Sequence, residues 1–263
     1  MVMYPTGAPE EVVRIGPFAM SVAPGAPLAP GRRGLVLISH GSGGAPVTHR
    51  ELARHLAERG FLVGVPEHPG NHRNDNALAD DVALLAERPR QLRVVAHALL
   101  ARFADALEPS YAIIGHSIGG YTALALAGGT PRSLPHQHAD RQEHAIAVDP
   151  DDRVRALVLL APATPWFRER GTLAGVRVPI LMIASYHDLA APYFYMCEAV
   201  RDGVADPARV DYRLVEGAGH YSFLSPWPPE LQGPAIPPSQ DPPGFDRRAF
   251  LDQLYPQISG FLR

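Results

Sequence analysis

Cysteine is almost absent from this chain. Cys197 is the single one in 263 residues, so no intramolecular disulfide framework of the small secreted kind is available. Positive charge is not in excess either. The 24 Lys and Arg stand against 27 Asp and Glu, a formal net charge of −3, which leaves no basic surface to hold nucleic acid or anionic lipid. No apolar run approaches the roughly 20 residues that a bilayer-spanning helix needs, and Met1 to Gly16 lacks the basic start and long apolar core of a secretory signal. These absences lead to the expectation of a reducing cytoplasm, a small-molecule partner, and neither nucleic acid nor membrane as ligand. The oligomeric state leaves no trace in the sequence.

What is present is enough apolar material for a large core. At 46% hydrophobic content, one α/β domain over residues 1–263 is expected rather than two small ones. The 28 prolines are roughly twice the usual share. Many lie near the N-terminus and between Pro226 and Pro243, where they read as irregular cover. Segments 131–152 and 222–245 are accordingly expected to be loops or cover segments.

The most informative stretch runs from Tyr111 to Tyr121, where a short apolar run meets Gly115-His116-Ser117-Ile118-Gly119 and then an Ala/Leu-rich segment. Strand, Gly-x-Ser-x-Gly and helix in that order read as a nucleophile elbow. Gly115 and Gly119 occupy the two positions that must be small for the serine to stand out of a sharp turn. The following helix start offers the Ile118 N–H to an oxyanion.

The rest of the chain alternates strand and helix. Val12 to Ala23, broken at Gly16-Pro17, predicts an edge hairpin or edge strands. Gly34 to Ser39 is a continuous apolar run of the kind buried on both faces of a parallel sheet. Thr48 to Glu51 has the capping-box pattern before a helix stopped by Gly60. Phe61 to Val65 is a strand. Pro89 to Leu107 is a helix with its proline near the start. Arg155 to Ala161, Val178 to Ala184 and Val210 to Val215 are further strands, with a helical stretch from Tyr193 to Val200 before the last. A helix interrupted near Pro256 closes the chain. This alternation predicts an α/β fold, a doubly wound and mostly parallel sheet with helices on both faces and ligands at the strand C-termini.

A serine of ordinary pKa needs a base in reach and a carboxylate to orient that base. Asp188 follows the strand ending at Ala184, and His220 follows the last strand in Gly217-Ala218-Gly219-His220-Tyr221. The loop after Ala161 holds no acid, and Asp149, Asp151 and Asp152 precede a strand and belong at the opposite edge. Ser117, Asp188 and His220 are therefore the candidate catalytic residues. The second oxyanion donor is expected from the loop after the first long strand, with Ser42 N–H preferred and Gly41 and Gly43 as register alternatives. His116 and Cys197 read as packing residues.

Four segments taken together resemble a known family. They are Leu35 to Gly44, Gly60-Phe61 with Pro66 to Asn71, Gly115 to Gly120, and Gly217 to Phe223. Between about Leu35 and Phe223 the chain resembles α/β-hydrolases of the predicted dienelactone-hydrolase and platelet-activating-factor-acetylhydrolase-like group. The order Ser, Asp, His is the one that superfamily uses. Dienelactone hydrolases typically carry cysteine at the elbow, where this chain has Ser117. The resemblance implies a carboxylic-ester hydrolase that takes no cofactor.

Remaining signals are weaker. His136, His138 and His144 are spaced through a polar loop without a metal-ligand pattern, and no metal is expected. His68, Tyr186, Tyr221 and Trp227 follow strand ends and are candidates for substrate contact. The expected function is a serine esterase acting on a small carboxylic ester. The alternatives are a thioesterase, lactonase or small-peptide hydrolase, or a ligand-binding protein with negligible turnover.

Overall fold

The computed structural model describes all residues, Met1–Arg263. In chain order the elements are β1 (Val2–Met3), β2 (Glu11–Ile15), β3 (Phe18–Val22), β4 (Arg33–Ser39), α1 (Arg50–Glu58), β5 (Leu62–Gly64), α2 (Ala83–Arg102), β6 (Leu107–His116), α3 (Ile118–Leu126), β7 (Val154–Leu160), β8 (Ile180–Ser185), α4 (Tyr193–Gly203), β9 (Val210–Val215) and α5 (Arg247–Phe261). Seven strands form one sheet in the order β1-β5-β4-β6-β7-β8-β9. All neighbours are parallel except β1 on β5.

Alternation along the central strands sorts the core into two layers. Leu35 and Leu37 pack with residues of α2, α3 and α4 on one face. Val36 and Ile38 pack with Leu52 and Leu56 of α1 and with Leu251, Leu254 and Ile258 of α5 on the other. Both faces of the sheet are thus covered, which is why its strands read as unbroken apolar runs. From β4 the chain winds outward through α1 to β5, then returns through α2 to β6 on the other side of β4. The strand order reverses between β4 and β6, and a crevice opens at their C-terminal ends. No helix is long and apolar enough to cross a membrane.

Several local expectations are corrected. The hairpin of β2 and β3 forms, with Gly16 at φ 58° in its turn, but the two strands pair only with each other. The sheet edge is taken by β1. Helix α2 starts six residues before Pro89, which lies inside it. Proline there deprives the Leu85 carbonyl of its helical donor; the Tyr121 hydroxyl donates to that carbonyl instead, at 2.7 Å. Helix α5 likewise runs through Pro256, where the carbonyl left over belongs to the exposed residue Asp252. The capping box at Thr48 is not made. A 3₁₀ turn (Pro46–His49) precedes α1, Thr48 Oγ1 donates to Ala45 O, and the Glu51 N–H is capped by Ser225 Oγ at 3.0 Å.

Candidate active site

Ser117 joins β6 to α3 at φ 55° and ψ −123°, a region that side-chain-bearing residues avoid and that costs energy to hold. The surrounding packing enforces it. A Cβ on Gly115 would run into the Gly119 carbonyl, and one on Gly119 into the Ser39 carbonyl, each closer than 3.0 Å. From Tyr111 to Leu126 every residue is buried except Ser117. The result is one partly exposed residue on a rigid, buried support. Ile118 opens α3, so its N–H has no partner within the helix.

His220 and Asp188 are brought together. His220 Nδ1 lies 2.8 Å from Asp188 Oδ2, and the carboxylate side chain is fully buried. Asp188 also accepts from Ser185 Oγ at 3.0 Å, Ala190 N at 3.0 Å and Ala191 N at 2.7 Å. Burial alone would raise its pKa, but the bond from His220 and the other donors outweigh it and hold the carboxyl below its usual value. An ionised Asp188 keeps the proton of His220 on Nδ1 and leaves Nε2 as the acceptor.

His116 links this pair to the elbow. Its Nε2 donates to the His220 carbonyl at 2.9 Å, and the two rings lie 5.0 Å apart. Burial pushes the His116 pKa down to about 3, so the ring stays neutral. The residue expected only to pack thus tethers the loop that carries His220. Ser117 Oγ and His220 are not hydrogen-bonded to each other, a spacing common before substrate arrives.

The loop after β4 forms the roof. A Cβ on Gly41 would stand 3.2 Å from both Ser117 Cβ and His116 Nδ1, so the backbone passes close over the serine. The N–H groups of Gly41, Ser42 and Gly43 make no hydrogen bond within the protein. The Gly41 carbonyl points inward, accepting from Gly44 N at 3.0 Å and His40 Nδ1 at 2.8 Å. Across a trans peptide the Ser42 N–H therefore points outward. The Ser42 hydroxyl serves the loop, accepting from Asn71 Nδ2 at 2.8 Å.

A cavity of about 630 Å³ opens beside the elbow. Gly41, Ser42 and His116 line its floor; the hairpin turn at Ile15 to Phe18 and the segment from Leu224 to Pro238 close over it. Tyr221 and Trp227 line this cavity, as two of the candidate contact residues. The other two do not. His68 is completely buried, with Nε2 on Ser39 Oγ and Nδ1 on Gln91 Oε1, both at 3.0 Å. It supports the loop from behind and has no face toward a ligand. Tyr186 is half exposed and stacks on Tyr193 outside the cavity.

The cover is pinned from a distance. Trp227 packs edge-on against Phe18 at 5.1 Å, and the Arg50 guanidinium sits over the Phe18 ring while donating to Pro226 O. Arg247 holds Asp241 Oδ2 at 2.8 Å and the carbonyls of Pro238 and Gln240 at 2.9 Å each. In the 131–152 loop, His144 pairs with Asp140 at 2.9 Å and Asp151 accepts from Tyr111 and His97. Cys197 is buried in the core.

Sequence reasoning missed Arg88 and Asn71 behind the roof loop and Phe18 in the hairpin. One signal for Arg88 existed: it interrupts the apolar stripe Leu84, Leu85, Leu92, Ala96 with a charge. Residues 34–176, more than half of the chain, match the family model described as alpha/beta hydrolase fold. No curated protein matches the chain.

Proposed function

The chain belongs to the alpha/beta hydrolase fold family, and on that premise we propose that it is a serine hydrolase cleaving carboxylic esters through an acyl-enzyme intermediate. Ser117 Oγ attacks the ester carbonyl while His220 Nε2 takes its proton. Asp188 stays ionised and stabilises the imidazolium. The oxyanion is held by the N–H of Ile118 and of Ser42, each such donor contributing about 10²- to 10³-fold in kcat. His220 returns the proton to the leaving alcohol, and water then releases the acyl group by the same steps in reverse. The observation that carries this reading is the buried Asp188, four times hydrogen-bonded, 2.8 Å from His220 on a loop tied to the residue next to Ser117.

The cavity supports an apolar acyl group of limited length. It is lined by the roof loop and His116 and by none of Ser117, Asp188 and His220, and on this reading it takes the acyl group while the leaving alcohol lies on the side of His220. Serine at the elbow favours esters over the dienelactones of the group that the sequence resembles. Thioesters, lactones and small peptides would use the same machinery.

A series of p-nitrophenyl esters from acetyl to palmitoyl, with thioester, lactone and amide probes beside it, tests the proposal on wild type and Ser117→Ala. Ester turnover that peaks at intermediate length and vanishes in Ser117→Ala is expected. Ester turnover retained in Ser117→Ala would overturn the nucleophile, and binding of esters without turnover by the wild type would favour a ligand-binding protein.

A further inference from the structure

Arg88 is completely buried, and all its hydrogen-bond partners are neutral. Nε donates to Thr122 Oγ1 at 3.0 Å, one terminal nitrogen to Asn71 Oδ1 at 2.6 Å, and the other to Ser39 Oγ at 3.1 Å and to the His40 carbonyl. Four of the five N–H groups of the guanidinium are thereby used, and no carboxylate shares the site. A buried cation without a counter-ion is expensive. Its helix face would pack with an apolar residue at that place, so stability alone does not account for it.

The four acceptors belong to the two halves of the oxyanion site. Ser39 and His40 lead into the roof loop. Asn71, held by Arg88, passes the constraint on by donating to Ser42 Oγ at 2.8 Å and Asn76 Oδ1 at 2.7 Å. On the other side the Thr122 hydroxyl accepts from Arg88 and donates to the Ile118 carbonyl at 3.0 Å. The His40 carbonyl is drawn toward Arg88, and across that trans peptide the Gly41 N–H points the opposite way.

We propose that Arg88 is a positioning residue that fixes the separation of the Ser42 and Ile118 N–H donors and places an uncompensated positive charge behind the developing oxyanion. This rests on the esterase reading above. Burial pulls the guanidinium pKa down to about 9, which leaves it charged at neutral pH. A neutral ester gains little from that charge, whereas the tetrahedral anion gains much in a site of low dielectric. The contribution therefore falls on kcat and not on KM.

Three variants test it: Arg88→Lys, which keeps the charge and loses the fork; Arg88→Gln, which loses the charge; and Thr122→Val, which cuts only the tie to Ile118. Because Arg88 acts through the donors, its loss should cost less than removing one outright: kcat about 10-fold lower in Arg88→Lys and Thr122→Val, about 100-fold lower in Arg88→Gln, with KM within about threefold. Inhibition by an alkylboronic acid, whose serine adduct is a tetrahedral anion, should weaken in proportion to kcat/KM. Amide hydrogen exchange at Gly44, whose N–H is held by the Gly41 carbonyl, should quicken in both Arg88 variants, and this readout needs no turnover. It separates failure of the present inference from failure of the esterase reading. If Arg88→Gln does not fold, the other two variants decide. Unchanged kcat, boronate affinity and loop exchange in folded Arg88→Lys and Thr122→Val would reduce Arg88 to a packing residue and overturn the proposal.

Discussion

The elbow, through His116, and the cover from Ser222 to Phe245 line the same cavity, yet they are held in opposite ways. The elbow is fixed by excluded volume within a short stretch of chain: Gly115, Gly119 and Gly120 leave no room for a side chain, and the flanking residues are fully buried. The cover has only two 3₁₀ turns, Pro229–Leu231 and Pro237–Ser239. Side chains from elsewhere hold it, among them Arg50 on Pro226 O and Arg247 on Asp241, and within it Ser222 Oγ donates to Asp241 Oδ1 at 2.7 Å. Steric locking gives one geometry, which chemistry requires. Hydrogen-bonded anchoring of a proline-stiffened loop gives a wall that substitution can reshape without disturbing the elbow.

If that contrast is right, changes on the catalytic side alter rate and leave acyl-length preference alone, and changes in the cover do the reverse. The largest effect is expected from Asp188→Asn. Loss of tautomer control should lower kcat by about 10⁴-fold with an unaltered chain-length profile, both read from steady-state kinetics on the ester series. Near-normal rates would move the orienting acid elsewhere.

Next comes Gly119→Ala, whose Cβ meets the Ser39 carbonyl. Neither backbone segment can retreat, so the cost should exceed about 4 kcal/mol, a fall in Tm of at least about 8 °C for a chain of this size. A folded variant within a few degrees of wild type by calorimetry would show that the elbow is softer than its packing implies.

Acid should act on the elbow side too. His40 and His116 are pushed down to about 3, mainly by burial, and His49 and His68 lie well below the ordinary histidine value for the same reason. Their folded pKa values lie below the unfolded value near 6.5. The unfolded chain then binds more protons below that pH, so stability is fully present above about pH 6.5 and is lost as the pH falls toward 3. Each histidine contributes at most about 1.4 kcal/mol per pH unit. Urea midpoints between pH 7.5 and pH 5 measure the slope. His49 has no hydrogen bond to either ring nitrogen, so His49→Leu should flatten that slope and raise the midpoint at pH 5. A steeper slope would contradict the assignment.

The smallest effect belongs to the cover. Trp227→Ala opens the cavity where the indole meets Phe18, and kcat/KM for longer acyl esters should rise relative to short ones by about tenfold. Rates on short esters should stay within about twofold. An unchanged profile in the folded variant would make the segment a strap that only delivers α5 to the sheet.

The same division explains what could be read from the sequence. The β6–α3 turn and the strand runs are local signals, and each is legible; the proposed Ser117, Asp188 and His220 follow the ends of β6, β8 and β9. The errors fall where a partner distant in sequence replaces a local one. Pro89 reads as a helix start because the donor to the Leu85 carbonyl, Tyr121, lies 36 residues away. The capping box at Thr48 lost to Ser225, 174 residues beyond the N–H it caps. His68 follows a strand end like a ligand contact, but Ser39 and Gln91 turn it inward. Arg88 stayed unread because its four acceptors come from three separate segments, at Ser39-His40, Asn71 and Thr122.

The central claim is that Ser117 is the activated nucleophile of this site, and labelling with a fluorophosphonate followed by peptide mass spectrometry tests it most directly. A single adduct on Ser117 is predicted, forming rapidly in the wild type and far more slowly in His220→Ala and Asp188→Asn. Ester turnover by a folded protein whose Ser117 stays unmodified, or an equal labelling rate in all three proteins, would contradict it.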